Sequence, residues 1–466
     1  MIISKKKLFL TLVLFFIPLI LIFLSQRSIY SERTLSVFFS LTFFLILLSF
    51  FISSTFLSNS SLEDRISLRV MYWFYSYTFL GLSPLISFIT SFWKLTPVNN
   101  DTIIYALCLI IFSNVIFEIG YNFLQKKKLN IKYKFYLVNL KNFIFVIIYY
   151  FLISLILIIF IGFEVQTSII RRLFDFSFAP KEQVIEWLYR TTPAILLIFF
   201  YYMNKLSKNL FYFLLLLSTS NLLFVINPIS GPRAIIFFLY FSILITFFYD
   251  LKKFKLFFLF ILLGGIFFSH IQLVVQKLIS EDEFFPNYSI LDYFIAGHFD
   301  GFEQIIHTLD YVIHNSSTYG QQLLGAIFFF IPRAVWPNKP IGSGDFLLNE
   351  YILNYTDNIV ANISSPLLAE TIINFSYFLG PIIFFIFGLL AGLFDYKYKL
   401  ERSVISKIRL KKKRFYVSFT LIYYPQFLSC FLFILRGDLQ SAIAFTLALA
   451  LVSFILFIIL CKKKIN

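Results

Sequence analysis

Charge is scarce in this sequence: 14% of its 466 residues are Asp, Glu, Lys or Arg, where a soluble domain carries about 25%. Acid is scarcer still, with 24 Asp and Glu against 40 Lys and Arg. Only three cysteines occur, Cys108, Cys430 and Cys461, and no pair has metal-ligand spacing. Neither a disulfide framework nor a cysteine metal site is encoded. A Walker loop and a dinucleotide glycine fingerprint are missing, so nothing supports an ATP-driven pump. A nucleophile elbow and a zincin helix are missing as well. The chain has no internal repeat and no low-complexity linker.

What fills the sequence is apolar. Hydrophobic residues make up 59%, and the mean hydropathy is +0.84. Apolar runs of spanning character lie at about 8–24, 35–57, 70–93, 102–124, 143–163, 191–203, 210–229, 234–249, 256–275, 377–394, 415–434 and 441–460. The expected fold is all-α, a polytopic membrane helical bundle of about 12 transmembrane helices. The N-terminal Lys5–Lys7 and the run after it resemble a signal peptide. That run leads into Ser25-Gln26-Arg27 without a small-residue cleavage site, so it reads as a retained first span.

The formal charge of +16 suits nucleic acid at first sight, but its distribution excludes that partner. With the N-terminus inside, the segments 1–7, 58–69, 125–142, 204–209, 250–255, 395–414 and 461–466 fall on one side and hold 28 of the 40 Lys and Arg. This is the positive-inside pattern of an N-in/C-in protein. Three ranges follow: 1–275 as a bundle of about nine spans, 276–376 as one large outer loop, and 377–466 as about three further spans. The loop holds 11 of the 24 acids and is long enough to be functional. Glu164–Arg190 reads as short interfacial helices, and Asn227–Arg233 as a tight turn.

Within the large loop, Ile331–Pro340 (IPRAVWPNKP) packs three prolines around Arg333 and Lys339. Proline fixes its own φ and biases its predecessor away from helix, so this is a stiff, irregular ribbon. Gln321–Ile331 before it is apolar but too short to span, and suits a re-entrant element. Three arginines depart from the positive-inside bias: Arg233 after Ser-Gly-Pro, Arg333 on the ribbon, and Arg436 in RGDLQ. Guanidinium offers a permanently charged fork that matches phosphate. Singly, each also fits a snorkelling side chain or an ion pair with a neighbour such as Asp438. Glu370 (SPLLAE) and Asp300 (HFDGF) are candidate general bases, or else helix-start and interface acids. Glu303, His307, Asp310 and His314 line a helix face opposite Phe302, Ile305, Ile306, Leu309, Val312 and Ile313; that face reads as solvated rather than metal-binding. Glu118, near the inner end of its span, suits a snorkelling acid or part of a transporter's polar path.

The strings YGQQLLGAIFFFIPRAVWPNKP, SPLLAETIINFSYFLGP, SGPRAIIFFL and RGDLQ, around one large late loop, resemble the Wzy-type O-antigen polymerases, best over about 225–440. The resemblance implies a glycosyltransferase at the periplasmic face of the bacterial inner membrane. Its substrates would be undecaprenyl-pyrophosphate-linked oligosaccharides. Arg233, Arg333, Lys339 and Arg436 would bind pyrophosphate, and Glu370, or failing that Asp300, would take the acceptor proton. Membrane lipids and a chain-length regulator are the implied partners; no cofactor or metal is called for. An O-antigen ligase, a lipid-linked oligosaccharide flippase or polysaccharide transporter, and a membrane scaffold are the rival readings.

Overall fold

In hydrocarbon every backbone polar group must be satisfied internally, so apolar runs of this length fold as helices. The structure, a computed structural model, describes residues 8–16, 35–57, 66–90, 100–125, 134–161, 180–203, 207–226, 233–249, 299–352, 363–411 and 415–465. The run at 256–275, His270, His298, Glu281–Glu283, Asp292 and Asp357 lie outside them, as do 164–179 and the turn at 227–232. The described residues are mostly helical, and six helices are long and apolar enough to cross a membrane. They are Ser36–Ser54, Asp101–Phe123, Lys208–Val225, Pro381–Ile408, Phe419–Arg436 and Leu439–Leu460. This is the architecture of a helical membrane protein.

The chain divides into two compact units: Met1–Lys128, Phe285–Leu393 and Phe431–Ala444 form the first, and the remainder forms the second. In the first, the stretch from Leu68 to Ile89 is buried almost throughout, as an all-round apolar helix must be. Its middle, Ser76–Leu82, is a π-helix. Helix Asn100–Gln125 packs against the start of helix Phe384–Lys411 along a glycine seam. A Cβ on Gly120 would stand 2.2 Å from the Phe385 carbonyl oxygen, and one on Gly388 2.1 Å from that of Phe117. Small residues are what allow backbones in lipid to approach so closely. The loop carries its own small core of Leu347, Ile352 and Ile363, with Tyr311, Leu348 and Tyr351 against it.

Several expectations are corrected. The fold is not purely α: in the second unit, strands β1 (Phe135–Val138), β2 (Tyr416–Val417) and β3 (Cys461–Ile465) form an antiparallel sheet in the order β2-β1-β3. The segment KEQVIEWLYR is not a separate short helix: one helix runs from Pro180 to Tyr201. The run at 377–394 is not one helix. Helix Leu367–Leu379 kinks at Ser376 (φ 73°), a short 3-10 turn follows at Pro381–Ile383, and the next helix continues to Lys411. Helix Gly301–His314 does not show Glu303 and His307 to solvent; both are buried with Gln304. Gln321–Ile331 is a seven-residue helix, Gln321–Ile327, followed by a turn.

Candidate functional site

Two buried acids of the first unit are held by neighbouring serines. Asp300 precedes helix Gly301–His314 and is 2% exposed. Its carboxylate accepts from the Ser364 amide at 3.1 Å and from Ser364 Oγ at 2.7 Å. Arg436 Nη2 lies 3.4 Å from Asp300 Oδ1. The acid's side chain is fully buried, whereas the guanidinium is 21% exposed, so this cation stays reachable at the edge of the cluster. Tyr75 Oη lies beside this pair, buried and without a hydrogen-bond partner among the described residues.

Glu370 sits in the first turn of helix Leu367–Leu379, behind Pro366. Ser343 Oγ donates to its Oε2 at 2.5 Å, and the Leu439 amide donates to Oε1 at 3.0 Å. Leu439 opens helix Leu439–Leu460, so Glu370 satisfies one of the amides that a helix start leaves unpaired. Burial and then the charge of Asp438 push its pKa up to about 8, against the hydrogen bonds from Ser343, Leu439 and Ser365. Asp345 is raised too, by burial and then by Asp438. Consecutive serines, Ser364 and Ser365, thus grip the two acids. The RGDL turn reaches both as well, Arg436 to Asp300 and Leu439 to Glu370.

The chain meets this cluster just past the ribbon, at Gly342 and Ser343, and not through the ribbon's cations. A Cβ on Gly342 would stand 2.5 Å from Asp438 Oδ1, so a larger residue there would push the Asp438 carboxylate aside. Asp438 Oδ2 caps the following helix by accepting from the Ser441 amide at 3.1 Å. Arg333 is exposed, and its Nη1 donates to the Lys339 carbonyl at 2.9 Å. Lys339 Nζ donates to the carbonyls of Phe329 and Ile331 at 2.8 and 3.1 Å. Burial and then Arg333 lower its pKa. Arg233 opens helix Arg233–Phe248 in the second unit, and its side chain lies outside the described atoms.

Of the six residues nominated from sequence, the structure therefore brings together Asp300, Glu370 and Arg436. Sequence reasoning missed Ser343, Ser364, Ser365 and Tyr75. The pair Ser364-Ser365 directly before Pro366 was the available signal for the first turn of a helix with acids near it. Tyr75 carries no local signal in an apolar run. Asn374 anchors the cluster from behind: its Nδ2 donates to the Glu370 carbonyl and its Oδ1 accepts from the Leu323 amide at 3.0 Å. Among the described residues, no three His, Cys, Asp or Glu are arranged to hold a metal ion. Glu118 is tied to Arg69 Nε at 2.8 Å, to Trp73, and to Asn122 at 3.0 Å. Comparison with known proteins finds no matching family model, no similar curated protein and no similar solved structure.

Proposed function

We propose that the chain is a Wzy-type O-antigen polymerase, a glycosyltransferase of about 12 spans, N-in and C-in, whose site faces the periplasm from the bacterial inner membrane. The observation that carries this reading is the clamp on Asp300, Glu370 and Arg436, which are distant in sequence and share one cluster of partners. The growing glycan on undecaprenyl pyrophosphate is the donor. A hydroxyl at the non-reducing end of a new lipid-linked repeat unit attacks its anomeric carbon. The bond to the pyrophosphate oxygen breaks with its electron pair, the new glycosidic bond forms, and Glu370 takes the hydroxyl proton. Undecaprenyl pyrophosphate leaves. Arg436 stabilises the charge developing on the pyrophosphate, and Tyr75 Oη supplies a second donor. A carboxyl raised to about 8 is matched to proton abstraction near neutral pH. Asp300, paired with Arg436, acts as its positioning residue rather than as the base. Arg333 and Lys339 extend the phosphate site by exchanging ribbon carbonyls for phosphate oxygens.

A flippase needs a polar path through the spans, and the ties of Glu118 to Arg69, Trp73 and Asn122 favour the polymerase over it. Surface polysaccharide from a strain lacking the gene tests the choice. Core bearing a single repeat unit is expected; bare core would instead indicate a ligase or flippase.

A further inference from the structure

The small sheet stands where three apolar helices end or begin. Strand β3 starts at Cys461, directly after the candidate span Leu439–Leu460. Strand β2 is followed at once by the candidate span Phe419–Arg436, and β1 by helix Leu140–Ile161. The Asn139 amide donates to the Leu460 carbonyl and Asn142 Nδ2 to the Ile459 carbonyl, both at 2.8 Å. These bonds fix β1 to the last turn of that span. Tyr136 meets Phe457 edge-on, its ring centroid 5.1 Å away. Tyrosine at the end of a span marks the headgroup level of a bilayer.

Three exposed lysines stand at this frame. Lys134 and Lys141 flank β1 and are exposed, and so is Lys462 on β3. Lys463 and Lys464 continue β3 in register with Leu137 and Tyr136. Helix-end lysines that only complement a helix dipole need no sheet to gather them. Here backbone pairing sets the strand that carries Lys462 beside the strand that Lys134 and Lys141 flank, more than 300 residues away in sequence. We infer that the sheet is a docking surface for the anionic headgroups of membrane phospholipids, with Lys134, Lys141 and Lys462 contacting lipid phosphate. Lysine binds phosphate as a point charge, and several together favour an anionic leaflet.

Native mass spectrometry of the detergent-solubilised full chain tests this, with phosphatidylglycerol and phosphatidylcholine of identical acyl chains supplied in equal amounts. Preferential retention of phosphatidylglycerol is expected, weakening as salt rises. The triple variant K134Q/K141Q/K462Q should lower that preference by at least about tenfold, while K134R/K141R/K462R keeps it. Equal retention of the two lipids by the native chain, or an unchanged preference in the glutamine variant, would overturn the inference. If the glutamine variant fails to fold, the native chain's salt response decides, and a flat response overturns it.

Discussion

At the residue scale, the Asp300–Arg436 pair poses a question that single substitutions cannot answer. Asp300 is fully buried, and an uncompensated buried charge costs about 3–5 kcal/mol. Arg436→Gln should therefore destabilise the protein through Asp300, whatever else the arginine does. Asp300→Asn removes the buried charge and retains acceptor capacity toward Ser364. The double variant Asp300→Asn/Arg436→Gln should recover most of the lost thermal stability, yet make no polymer, because the cation for pyrophosphate is gone. Long glycan chains from the double variant would reduce Arg436 to a neutralising partner. Glu370 gives a pH prediction. Its pKa rises from the ordinary 4.5 to about 8, so the folded state holds a proton that the unfolded chain releases. Its contribution to stability is fully present below about 4.5 and is lost as pH rises through about 8. Glu370→Gln should flatten that decline, and melting curves at pH 5 to 9 would read the difference from wild type. A general base works ionised, so the polymerisation rate with lipid-linked repeat units should climb toward a plateau above pH 8. The glutamine variant should lose about 10²–10⁴-fold on that plateau and lose the pH dependence with it; retained activity would leave Glu370 as a helix cap alone.

At the element scale, the glycine seam is the contact least tolerant of change. A Cβ on Gly388 would meet the Phe117 carbonyl oxygen and the Tyr121 amide, which are backbone atoms that cannot swing aside. Gly388→Leu should cost more than the 1–3 kcal/mol of ordinary overpacking, seen as lost yield of monodisperse protein in mild detergent. Gly81→Ala should cost less, since its nearest neighbour is the flexible end of Leu48. Most helices were legible in sequence, because length and apolarity decide helix formation in lipid whatever the partners. The sheet was not. Strands of two to five residues, one of them CKKKI, carry no period-two pattern and form only when three distant segments pair. The ribbon shows a subtler limit. Its stiffness and its two cations were plain, but not that Lys339 would satisfy carbonyls left over just past helix Gln321–Ile327. Cations at the end of a helix have that duty available to them, and in a chain with so few acids such carbonyls are ready partners. Ser364 and Ser343 escaped notice because their bonds to Asp300 and Glu370 reach 64 and 27 residues along the chain.

At the scale of the whole molecule, the sheet turns topology into a question of parity. Strands β1, β2 and β3 are hydrogen-bonded neighbours, so the segments that carry them share one side of a membrane. Between β2 and β3 the chain has two candidate spans, Phe419–Arg436 and Leu439–Leu460, which carry it across and back. Between β1 and β2 the number of crossings must then be even as well. If helices Leu140–Ile161, Pro180–Tyr201, Lys208–Val225 and Arg233–Phe248 each cross, they return the chain to the side of β1, while Phe384–Lys411 must arrive at β2 from the far side. One further crossing is required between 249 and 384. Helix Leu367–Leu379 has 13 residues, short of the roughly 20 that a span needs. A crossing in that stretch leaves the loop before Leu367 on the side opposite the lysine-rich segments. Single cysteines in a Cys108→Ser/Cys430→Ser/Cys461→Ser background read this directly. Asn130→Cys and Lys413→Cys should react with a membrane-impermeant maleimide only after cells are permeabilised, and Ile290→Cys should react in intact cells. Matching labelling at all three positions would remove that crossing and with it the periplasmic site. Different labelling at 130 and 413 would break the sheet itself, since its strands cannot pair through a bilayer.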